Sequence, residues 1–70
     1  MNLLSKKVLE FQEKKLKESE KTLHKHLENK KRLESSGGST KEIEHEEKLI
    51  KIWSNNIEKI KTEMRKIQEK

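Results

Sequence analysis

Apolar residues recur every seven positions along most of the chain, in two segments. From Asn2 to Glu34 the seven-spaced row is Leu9, Leu16, Leu23 and Lys30, with Gln12, Ser19, His26 and Leu33 three residues after each. We label the first row a and the second d, the positions that face a neighbouring helix in a heptad repeat. The a row is apolar until Lys30, whereas the d row is mostly polar. From Thr40 to Gln68 the repeat is stronger, with Ile43, Ile50, Ile57 and Met64 at a and Glu46, Trp53, Ile60 and Ile67 at d. Seven of these eight positions are apolar in a chain that is only 27% hydrophobic. That period predicts an amphipathic helix rather than a solvated coil.

The stretch LESSGGSTKE at 33–42 interrupts the pattern. Gly37 or Gly38 can adopt the left-handed conformation that ends a helix. Ser39 followed three residues later by Glu42 is a capping box that starts the next one, and Asn2 is a cap for the first. The expectation is a single all-α domain spanning 1–70: helix 2–34, a Gly/Ser turn at 35–39 and helix 40–69. A connection this short joins antiparallel neighbours, giving a two-helix hairpin of coiled-coil type. A flexible hinge, or a join introduced between two helices, would have the same composition.

In an antiparallel pair each a residue lies level with a d residue of the other helix, so facing residue numbers add to a constant. Leu9 with Ile67, Leu16 with Ile60, Leu23 with Trp53 and Lys30 with Glu46 all add to 76, and this register leaves a loop of about five residues. The one charged a residue, Lys30, then meets the one charged d residue, Glu46. That pair is expected to set the register, because a shift would leave each charge against aliphatic carbon.

Three apolar a residues of the second helix, Ile50, Ile57 and Met64, face polar His26, Ser19 and Gln12. Further apolar residues lie off the seam. Leu4, Val8 and Phe11 form one patch near the free end, and Leu49 and Ile52 beside Trp53 form another nearer the loop. Both patches lie on one flank, and a two-fold contact would bring each onto the other patch of a second copy. The expected assembly is a homodimer of hairpins, a four-helix bundle. A partner protein's helices could occupy the same flank, with Trp53 as the anchor. If instead these residues only widen each helix's own apolar stripe, no partner is implied.

Composition narrows the chemistry. At 70 residues without Cys, no disulfide can offset a thin core, which favours association. The chain has no Pro, Ala, Asp or Tyr, and all thirteen acids are Glu. The longest apolar runs are two residues, so no membrane span is expected. Lys6 and Lys7 interrupt any signal-type apolar run, and the expected location is the cytoplasm. Residues 1–11, where Leu4, Val8 and Phe11 share a side with lysines nearby, could also form a membrane-surface helix, but the apolar patch is small and packing explains it as well.

The net charge of +5 raises nucleic acid as an alternative partner. Lys7, Lys14, Lys21, Lys25 and Arg32 fall within about 40° of one another at 100° per residue, a stripe that could follow phosphates. Glu10, Glu18 and Glu28 border it, and the commoner meaning is a solvated face of i,i+4 ion pairs. His24 and His26 point to opposite sides of a helix, and HEEKL at 45–49 lacks the second His of a zincin motif, so no metal or cofactor is expected. SSGGST lacks the Lys and preceding strand of a phosphate-binding loop, and no catalytic triad can be assembled without a pocket.

SNNIE at 54–58 resembles, over five residues, the Ser-x-x-Leu-Asp element of a family of small sporulation phosphatases. Glu58 stands where that family has Asp, and the element lies about a heptad further from the loop. No function or residue is carried over from it. The sequence therefore points to a non-catalytic, self-associating or helix-docking hairpin with a scaffold or regulatory role.

Overall fold

The computed structural model describes residues 2–69. Helix α1 runs Leu3–Ser36 and helix α2 runs Thr40–Glu69. Each boundary has a local cause. Asn2 is extended and its side-chain oxygen accepts a hydrogen bond from the Ser5 N–H at 2.8 Å, relieving one of the unpaired amides at a helix start. Gly37 ends α1 with φ 74°, a region where a Cβ is strained and glycine is not. The Leu33 carbonyl accepts from the N–H groups of both Gly37 and Gly38. Ser39 Oγ then accepts from the Glu42 N–H at 3.1 Å, which is one half of the capping box.

Helix α1 extends two residues beyond the expected end at Glu34. Ser35 and Ser36 can stay helical, and Gly37 is the first residue free to take the left-handed turn. The link between helices is therefore Gly37–Ser39, shorter than the 35–39 turn read from composition.

The molecule measures 52 × 14 × 11 Å. Thirty-four residues at about 1.5 Å each span about 51 Å, so one helix accounts for the whole length and α2 lies back along α1. All sixteen seam positions named above, from Leu9 to Ile67, are buried or half-buried. Among the described residues, three polar side-chain contacts cross between the helices: Gln12 with Glu63, His26 with Glu46, and Lys30 with Glu47. Their residue numbers add to 75, 72 and 77, bracketing the facing constant of 76 within about one turn.

The core is thin. Among the described residues, Leu9, Ile57, Ile60 and Ser19 are buried, and no large side chain is fully enclosed. Ser19 and Ile57 are one of the pairs the register sets level, so the most enclosed apolar residue of α2 sits opposite a small polar one.

Candidate interaction surface

Two of the three polar d residues of α1, Gln12 and His26, find polar partners on α2. Gln12 Nε2 donates to Glu63 Oε2 at 3.2 Å, while Gln12 Oε1 is buried without a hydrogen bond. His26 Nδ1 lies 2.8 Å from Glu46 Oε2, with both side chains largely covered.

This changes the expected charge pair. Glu46 is engaged by His26, and Lys30 Nζ lies 3.9 Å from Glu47 Oε1. The reason is reach: a lysine at a seam position carries its amine along a flexible stem to the rim, where water still solvates it. Glu47, more than half exposed, is that rim acceptor. Level in the heptad therefore did not decide which carboxylate Lys30 meets.

Off the seam, the structure places the apolar flank residues as follows. Leu4 is 72% exposed, Phe11 63%, Ile52 53% and Val8 37%. Leu49 and Trp53 are half-buried. Phe11 and Trp53, read from sequence as members of two separate patches, line one groove together with Lys14, Lys15, Glu18, Ser19 and Thr22. The Lys15 ammonium sits 6.0 Å from the centre of the Phe11 ring, within range of a weak cation–π attraction. Leu4, Val8, Leu49 and Ile52 lie outside this groove.

A second apolar feature was missed from sequence. Leu27, 45% exposed, stands at an e position on the opposite flank, beside Leu23 and Ile57. Ser54 and Glu58, from the SNNIE string, line the same side. The signal was a leucine one step outside the heptad rows, which a count confined to a and d passes over.

The basic stripe is exposed along its length: Lys7, Lys14, Lys21, Lys25 and Arg32 all face solvent. The expected i,i+4 ion pairs do not accompany it. Among the described residues the i,i+4 pair that forms is His24 with Glu28 at 2.9 Å. No described carboxylate lies within ion-pairing distance of the four lysines, and Arg32 hydrogen-bonds Asn29. The rotamer entropy that long exposed side chains lose in such pairs offsets most of the screened attraction.

Among the described residues, no cluster of three or more His, Cys, Asp or Glu is placed to hold a metal ion, and no helix is long and apolar enough to cross a membrane. No family model, curated protein or solved structure matches this chain.

Proposed function

We propose that the protein is a non-catalytic helical-hairpin interaction module that self-associates through the flank carrying Leu4, Val8, Phe11, Leu49, Ile52 and Trp53. The product is a homodimer, a four-helix bundle, and its role is that of a scaffold or regulator. One observation carries the reading: large apolar side chains on one flank stay exposed after the two helices have packed. Apolar surface left in water costs roughly 25 cal/mol per Å², and covering it is the main driving force for association.

The total area points the same way. A compact protein of 8.4 kDa exposes about 4,600 Å², whereas this hairpin exposes 5822 Å². The excess is roughly 1,200 Å² per chain, or about 2,400 Å² for a pair, which falls in the range that obligate homodimer interfaces bury.

Light scattering on a chromatographed sample tests the reading. The full chain is expected to elute at twice its monomer mass, and Phe11→Ser combined with Ile52→Ser to shift it toward monomer. Because both side chains are exposed, the seam between the helices is left intact. Equal masses for the two proteins would refute the assignment of the flank.

A second reading rests on the unpaired basic stripe. Exposed lysines without carboxylate partners on the back of α1 would supply phosphate contacts to a nucleic acid, with Glu10, Glu18 and Glu28 opposing it. Its mark is an affinity for duplex that falls steeply with salt and with replacement of Lys14, Lys21 and Lys25. Salt-insensitive or absent binding removes it.

A further inference from the structure

We infer that the Phe11–Trp53 groove is the seat of a second copy of this chain, gripped by the same groove in reverse. The inference rests on the self-association reading above and names the contacts within it. Along α1 the groove runs from Phe11 to Thr22, and Trp53 lines it from α2. Consider a two-fold axis lying in the interface and crossing α1 between Leu16 and Lys17. It exchanges Phe11 with Thr22, Lys14 with Ser19, and Lys15 with Glu18.

Any stripe spaced by three and four residues is symmetric in position under such an axis. What is particular here is the complementarity of the occupants. Lys15 of each copy comes level with Glu18 of the other, so two reciprocal ion pairs flank the axis. The exposed Phe11 ring comes over the Thr22 methyl and toward the half-buried Trp53 indole. No two like charges of the stripe are set against each other.

The same axis also serves the remaining flank residues. It brings Val8 level with position 25 and Leu4 level with position 29 of the second copy. In the facing register, Ile52 and Leu49 of that copy stand beside positions 24 and 27. The two patches separated in one hairpin therefore come together in the pair, on the axis that the charges select.

Charge reversal tests the arrangement, using sedimentation equilibrium on the full chain. Lys15→Glu alone and Glu18→Lys alone are each expected to weaken the dimer about tenfold, since each sets like charges together on both sides of the axis. An equimolar mixture of the two variants is expected to recover association to within about threefold of wild type. Both side chains are exposed, and circular dichroism of each variant checks that the helices persist. A wild-type dimer indifferent to these changes would overturn the groove as the seat while leaving the flank reading intact. A wild-type monomer at every concentration would overturn both.

Discussion

His26 and Glu46 form the best-covered polar contact between the helices, at 2.8 Å with side chains 18% and 14% exposed. A hydrogen bond shielded in this way contributes about 0.5–1.5 kcal/mol net, and stranding one partner costs more. A double-mutant cycle with His26→Ala and Glu46→Ala, followed by urea denaturation, is expected to give a coupling of about 1 kcal/mol. The corresponding cycle for Lys30 and Glu47 is expected to give close to zero, because that contact is long and lies at the rim. Gln12 is the opposite case, a half-buried side chain whose carbonyl oxygen has no partner. Gln12→Leu removes that orphan and fills a d position with carbon, so a gain of about 1 kcal/mol and a higher Tm are expected. A lower Tm would show that the bond to Glu63 outweighs the orphan. At this scale the sequence was partly legible. Heptad position correctly marked His26, Gln12, Lys30 and Glu46 as seam residues. It did not show which acceptor each long side chain would reach, because that depends on rotamers and on access to water at the rim.

The helices and their ends were the most legible part of the chain, since period and capping are local. Ile43 through Ile67 repeat with little interruption, and Asn2, Gly37 and Ser39 each do the capping chemistry their types allow. The residues at 35 and 36 were less legible, because serine is compatible with both a helix end and a turn. Gly37→Ala forces a Cβ into the left-handed region and is expected to lower stability by about 1 kcal/mol. Gly38 is restricted by space instead. A Cβ there would sit 2.7 Å from Leu33 Cδ2 and 3.1 Å from the Leu33 carbonyl oxygen. The methyl end can swing away, but the carbonyl belongs to the helix end, so Gly38→Ala is also expected to destabilise. Thermal denaturation of the two variants checks both, and an unchanged Tm in each would mean that the turn does not hold the hairpin closed.

For the whole molecule, the hairpin has one helix with a strong apolar seam and another that answers it with Ser19, His26 and Gln12. That mismatch explains why few of the described residues are buried and why none of their large side chains is fully enclosed. It also leaves Phe11 and Ile52 in water, although such residues supply much of the stabilisation of a small helical protein when covered. The flank was visible in the sequence as apolar residues off the heptad rows. The joining of Phe11 and Trp53 into one groove was not, because it depends on how far each ring extends along the helix surface. The most direct test of self-association is sedimentation equilibrium over a wide concentration range, with circular dichroism on the same samples. A strongly helical species of about twice the 8.4 kDa chain mass, dissociating on dilution, is expected. A strongly helical monomer at every concentration would contradict it.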